Sequence, residues 1–210
     1  MSASAHRNAG RVGLGVAAIR SDLARALPAD RVRPASEVPA GHRFETGTLC
    51  HEAIAGFVAA IEYLESLGAD GTDRCSRLNL AYARIEAYES ALTRHTLGRP
   101  SEVGGLRLYG ISDAARVGER TPTFCFNLDG WMPDSLCAEL AARGLFTYHG
   151  NYYALGAMTA LDLEAHGGAV RAGYLHYTTA EEADQLCDAL ASLAKGPARS
   201  DPRVAPLTRR

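Results

Sequence analysis

Two places in this chain combine residue types and spacing that could do chemistry. The first is Gly47-Thr48. Gly47 allows a tight bend, and Thr48 stands where a helix is predicted to begin. Free backbone N–H groups, the positive end of the helix dipole and a hydroxyl would together form an anion pocket there. The competing reading is a threonine that only caps the helix. The second place is Arg171, inside the otherwise apolar stretch Ala169-Val-Arg-Ala-Gly-Tyr-Leu-His-Tyr177. A guanidinium in such a strand either pairs with an acid or faces a cleft and clamps a carboxylate through two hydrogen bonds. The block itself holds no acid.

Other motifs are weaker. Gly13-Leu-Gly15-Val-Ala-Ala18 matches a dinucleotide fingerprint, but that motif works only between a strand and a helix, and no strand is apparent before Val12. His51-Glu52 opens like a zinc-protease helix, yet Ala55 occupies the place of the second histidine. His42, His95, His149, His166 and His176 show no ligand spacing, so no structural or catalytic metal is expected. The five cysteines (Cys50, Cys75, Cys125, Cys137, Cys187) are widely spaced and read as free thiols in a reducing cytoplasm. Lys195 is the only lysine; the other positive charges are arginines.

Several elements must position these residues. The chain has 210 residues, 47% hydrophobic and 22% charged, with a net charge of -2. That balance gives no case for nucleic acid or an anionic membrane, and no apolar run is long enough to span a bilayer. The acid-free first twenty residues resemble a transit peptide only faintly, and Val12 to Ile19 reads better as a buried strand. Apolar residues at Ile54, Phe57, Val58, Ile61, Leu64 and Leu67 predict a helix over 50–67, stopped by Gly68. Leu78, Ala81, Tyr82, Ile85, Tyr88 and Leu92 predict a second helix over 73–97, closed by Gly98 and Pro100. Strands are predicted at 106–109, 123–128 and 169–177. Pro133 and Gly144 bracket another helix, and Thr179 with Glu182 caps a final one. Helices on one face of a small, mostly antiparallel sheet would bury these faces, so the fold class is α+β.

Taken together, Arg43-Phe-Glu-Thr-Gly-Thr48, Thr121-Pro-Thr-Phe-Cys-Phe126, Gly144 through Tyr153, and Val170-Arg171 through Glu182 resemble the class V aminotransferases, pyridoxal-phosphate enzymes, and most closely their cysteine desulfurase-like branch. The resemblance runs over about residues 12–195 and implies the carboxyl-terminal portion: a remnant strand of the large α/β domain and a connection (1–42), then the small domain (43–195), then a disordered tail (196–210). It implies that Thr48, with Gly47, reaches the cofactor phosphate of the neighbouring subunit in a dimer. It further implies that Arg171 binds the substrate carboxylate and that Gly150, Asn151, Tyr152 and Tyr153 line the substrate side. The partners expected are an amino-acid substrate and a second copy, by dimerisation or self-association.

Two departures qualify the expected activity. Tyr153 stands where the desulfurase nucleophile would be a cysteine. Arg7 falls where the cofactor-binding lysine would be, and a permanently protonated guanidinium cannot form a Schiff base. Covalent pyridoxal phosphate binding by this chain is therefore not expected. The reading is a fragment of a class V aminotransferase that is inactive alone, with no catalytic residue of its own. The alternative is a non-catalytic interaction module derived from that family.

Overall fold

The computed structural model describes residues 2–4, 14–30, 36–99 and 103–196. Arg7, Gly13 and the tail beyond Gly196 lie outside the described residues. The chain forms two compact units, Met1–Arg84 and Ile85–Arg210.

The first unit holds β1 (Ser2–Ser4), β2 (Gly15–Ala17), α1 (Ser21–Ala26), a short 3-10 turn (Ala40–Phe44), α2 (His51–Ser66) and the first part of α3 (Arg74–Leu97). Its small ladder is antiparallel, with Ala3 opposite Val16. Two expectations change here. The described part of the Val12–Ile19 run is not a buried strand: among residues 14–19 only Gly15–Ala17 pairs, and all three are exposed. Gly13 lies outside the described residues, and Gly15 pairs with Ser4 in an antiparallel ladder. Among the described residues, Gly15 is thus a ladder residue and does not stand at the strand-to-helix turn that would present amides to a phosphate.

The α2–α3 hairpin is tight because Gly68 lets the helices meet. A Cβ there would lie 1.9 Å from the Arg77 carbonyl oxygen and 2.8 Å from the Ala81 nitrogen, so any side chain would force the backbones apart. Glu65 anchors the corner, accepting hydrogen bonds from Arg74 Nε at 3.1 Å and Arg77 Nε at 2.7 Å. The predicted apolar stripe is only partly covered. Leu64 is buried, whereas Val58 is 44% exposed and Tyr82 52%.

The second unit carries the main core. It contains the rest of α3, β3 (Leu106–Tyr109), β4 (Thr123–Leu128), α4 (Pro133–Ala141), β5 (Tyr148–Gly150), α5 (Leu155–Ala160), β6 (Ala169–Gly173) and α6 (Ala180–Lys195). The four strands form one antiparallel sheet in the order β3-β4-β6-β5. On one face Phe124, Phe126, Leu128, Val170 and Ala172 pack with Leu92 of α3, Leu136 and Leu140 of α4, and Leu186, Leu190 and Leu193 of α6. The fold class is thus α+β, as expected. A smaller cluster of Met158, Leu163 and Ala169 covers part of the other face, so the helices are not confined to one side. The last strand ends at Gly173, short of the expected Tyr177. Tyr174 continues into the core instead, its ring 5.2 Å from that of Phe124.

Capping makes α6 start where the sequence places it. Thr179 Oγ1 accepts from the Glu182 amide at 3.2 Å, and Glu182 Oε2 accepts from the Thr179 amide at 2.8 Å. Polar contacts then tie α3 to α6. His95 Nε2 lies 2.8 Å from Asp184 Oδ1, and Arg99 donates to Asp184 and Asp188, each at 2.7 Å. The His95 hydrogen bond first, and then Arg99, hold the Asp184 carboxyl below its usual value. A depressed folded-state pKa means that this contribution is complete above about pH 4 and lost as pH falls through the lowered value. Asp184→Asn should therefore lower the thermal midpoint at neutral pH modestly, because the group is exposed. Midpoints of variant and parent measured against pH should converge in acid. A constant gap down to acid pH would contradict the assignment.

Candidate functional site

The residues singled out in the sequence fall in both units.

In the first unit the segment before α2 runs past Gly47 and Thr48 to Cys50, which is the N-cap residue. Cys50 contributes its carbonyl to the Ala53 and Ile54 amides at 3.1 and 3.0 Å, and no side chain caps the helix. Thr48 therefore does not cap α2, which removes the competing reading of that residue. Among the described residues the Thr48 hydroxyl has no hydrogen-bond partner. Gly47 has open space where a Cβ would stand, with no described residue within 4 Å of that position.

Arg43, in the same sequence block, ties the segment before this loop to the end of α1. Arg43 Nη1 donates to the carbonyls of Ala24 at 2.9 Å and Arg25 at 2.8 Å, and Nη2 donates to Leu27 at 3.3 Å. The guanidinium satisfies the open carbonyls at the end of α1. Its only sequence signal was a basic residue beside the Gly-Thr pair.

In the second unit Arg171 sits in β6 on the sheet face away from the main core. Register places it opposite Cys125 on one side and Tyr148 on the other, with Tyr109 opposite Cys125. Residues directly opposite in an antiparallel ladder share a face. Tyr109, Cys125, Arg171 and Tyr148 therefore form a transverse row. Only Arg171 of this row had been singled out.

No salt bridge to Arg171 forms among the described residues, and no group there accepts a hydrogen bond from it. Instead its Cζ lies 4.8 Å from the ring centroid of Tyr152. The structural ion pair that would have explained a strand arginine is thus not made.

The chain leaves β5 at Gly150 (φ 116°) and turns through Tyr152 (φ 54°) and Tyr153 (φ 60°), two non-glycine residues in the left-handed region. Gly150 approaches Gly168 so closely that a Cβ on Gly168 would lie 2.2 Å from the Gly150 carbonyl oxygen. Asn151 braces the turn. Its Oδ1 accepts from the Tyr153 amide at 3.2 Å, and its Nδ2 donates to Glu164 Oε1 at 3.3 Å. The Tyr152 hydroxyl reaches the carbonyls of Tyr148, at 2.8 Å, and Ala169. Tyr153 points outward and is fully exposed. The structure thus sets Tyr152 against Arg171, places Gly150 opposite Ala169 in the neighbouring strand, turns Asn151 to Glu164 and leaves Tyr153 in solvent.

Thiol chemistry finds no support in this row. Burial pushes the Cys125 thiol up, against a smaller opposing pull from Arg171. A protonated thiol is a poor nucleophile. None of the five cysteines is in a disulfide. Among the described residues no three His, Cys, Asp or Glu side chains gather to hold a metal ion, and no helix is long and apolar enough to cross a membrane.

The family model for aminotransferase class-V matches residues 1–186. The chain belongs to the class-V aminotransferase family. It is 29% identical over 195 residues to a probable cysteine desulfurase of Streptomyces coelicolor, covering 88% of this chain and 42% of that protein. It is 28% identical to a cysteine desulfurase of an Enterobacter species, covering 89% and 43% respectively. Among solved structures, the apo cysteine desulfurase of Thermococcus onnurineus superposes with a TM-score of 0.72 at 23% identity. That match covers 92% of this chain and 46% of the other. The chain spans less than half the length of these relatives.

Members of this family use pyridoxal phosphate, and the residues present fit one end of that group. The open Gly47 backbone, the Thr48 hydroxyl without a partner among the described residues and the start of α2 without a side-chain cap suit a phosphate. The aldehyde end finds no counterpart. Lys195 is the only lysine, and it stands exposed in the last turn of α6.

Proposed function

We propose that this chain is the substrate- and phosphate-binding portion of a cysteine desulfurase-like, pyridoxal-phosphate-dependent enzyme acting on an amino acid, and that it is inactive as an isolated polypeptide. Arg171 receives the substrate carboxylate, with Gly150, Asn151, Tyr152 and Tyr153 forming the surrounding loop. Thr48 and Gly47 receive the cofactor phosphate. When bound by a complete enzyme, the cofactor withdraws electrons from the substrate's α-carbon. The observation that carries this reading is the guanidinium of Arg171, which spends no donor on an acceptor among the described residues. A planar fork of N–H groups left open at a sheet surface matches a carboxylate in charge and shape.

The test is titration of the 15N-labelled full chain with L-alanine, following the Arg171 side-chain resonance, with ethylamine as the control lacking a carboxylate. L-alanine should give a weak, saturable shift and ethylamine none. Arg171→Gln should weaken binding about tenfold or more, since two charge-assisted hydrogen bonds go. Arg171→Lys should restore little, because an ammonium cannot present the fork. Identical responses to L-alanine and ethylamine would refute the reading.

The alternative, a non-catalytic interaction module, draws on a different observation. Phe146, Tyr148, Tyr153 and Tyr177 are 89%, 69%, 101% and 67% exposed, and exposed aromatics suit a partner surface. Self-association belongs to either reading, and size-exclusion chromatography reports it directly.

A further inference from the structure

We infer that Tyr152 is a positioning residue, whose ring holds the Arg171 guanidinium at the sheet surface while leaving its N–H donors free for a carboxylate. The inference rests on the reading of Arg171 just given. It assigns Tyr152 a role other than touching substrate.

Three observations support it. The first is the contact itself, with the guanidinium carbon 4.8 Å from the ring centroid. A ring face attracts a cation without accepting its N–H groups in strong hydrogen bonds. An acid in the same place would neutralise Arg171 and compete with an incoming carboxylate.

The second is that the ring is itself fixed. The hydroxyl reaches the carbonyls of Tyr148 and Ala169, one on each of the two strands flanking this edge of the sheet. The ring packs against the cluster of Met158, Leu163 and Ala169. A hydroxyl so engaged is not free to bind substrate.

The third is the backbone. Tyr152 holds a left-handed conformation (φ 54°), which a bulky residue keeps only where its surroundings impose it. The close approach of Gly150 to Gly168 brings the loop down over β6 so that the ring reaches the arginine. Tyr153, one residue on, has the same backbone hand but no such anchoring, and its side chain is in solvent. The two adjacent tyrosines therefore differ in role.

The experiment compares wild type, Tyr152→Leu and Tyr152→Phe as full chains in the L-alanine titration. In the wild type, nuclear Overhauser effects should connect the Arg171 side chain to the Tyr152 ring protons. Tyr152→Leu should weaken L-alanine binding about two- to fivefold, the loss of one exposed cation–ring contact. Tyr152→Phe keeps the ring and should stay within about twofold of wild type. A role resting on the hydroxyl's hydrogen bonds alone would weaken both variants alike, since both lose them. Equal affinities of wild type and the leucine variant would overturn the role of Tyr152 and leave the Arg171 reading standing. No saturable response in the wild type would overturn the Arg171 reading and this inference with it. Should the leucine variant not fold, the wild-type ring-to-arginine signals decide, and their absence overturns the inference.

Discussion

Mixed with an equal amount of pyridoxal phosphate and then treated with borohydride, this polypeptide should keep its unmodified mass. Borohydride traps a carbon–nitrogen link only where an unprotonated amine has met the aldehyde. Arginine side chains stay protonated at any working pH and cannot form that link. Lys195 is the one side-chain amine, exposed in the last turn of α6. An exposed helix-end amine has no surrounding groups to orient the aldehyde, so nothing local raises its effective concentration. The measurement is intact-mass spectrometry followed by peptide mapping, which separates a lysine adduct from one on the terminal amine. A stoichiometric cofactor adduct on a side chain of the folded protein would overturn the proposal that the isolated chain is inactive.

The second large effect concerns the scaffold beneath Arg171. Leu140→Ala should destabilise the second unit by about 2–5 kcal/mol. Leu140 is fully buried in the cluster that joins α4 to the sheet and α6. Truncation there loses the transfer energy of the removed carbons and leaves a void that close-packed neighbours fill only in part. Against a usual domain stability of about 5–15 kcal/mol this is a large share. Trp131, the only tryptophan, packs at the margin of the same cluster and gives a fluorescence probe. The urea midpoint should fall with little change in slope. Leu175→Ala, at a site 47% exposed, should change it by no more than about 0.5 kcal/mol. A Leu140 variant indistinguishable from the Leu175 variant would refute the packing account.

The helices were legible because their signals are local. The 3.6-residue stripes of α2 and α3, the stops at Gly68 and Gly98 and the capping box of Thr179 with Glu182 all lie within a few residues of the feature they specify. The alternation of Phe124, Phe126 and Leu128 read as a strand for the same reason. Elements with too few residues to show a period escaped: β1 and β5 have three residues each, and α5 has six. Thr48 was misread as a possible cap because the choice of N-cap depends on backbone angles at Cys50, which no side-chain pattern reveals.

The sequence by itself determined that a cation would sit in an apolar strand, that a Gly-Thr pair would precede a helix, and that one lysine would serve the whole chain. Only the tertiary structure decided what stands beside that cation. Cys125 and Tyr148 reach Arg171 through strand register, Tyr152 through a left-handed turn, and Arg43 meets the end of α1 across an intervening segment. Cross-strand and loop contacts join residues far apart in the chain, so their pairing follows from how the sheet and its faces are buried, and local periodicity carries no record of it.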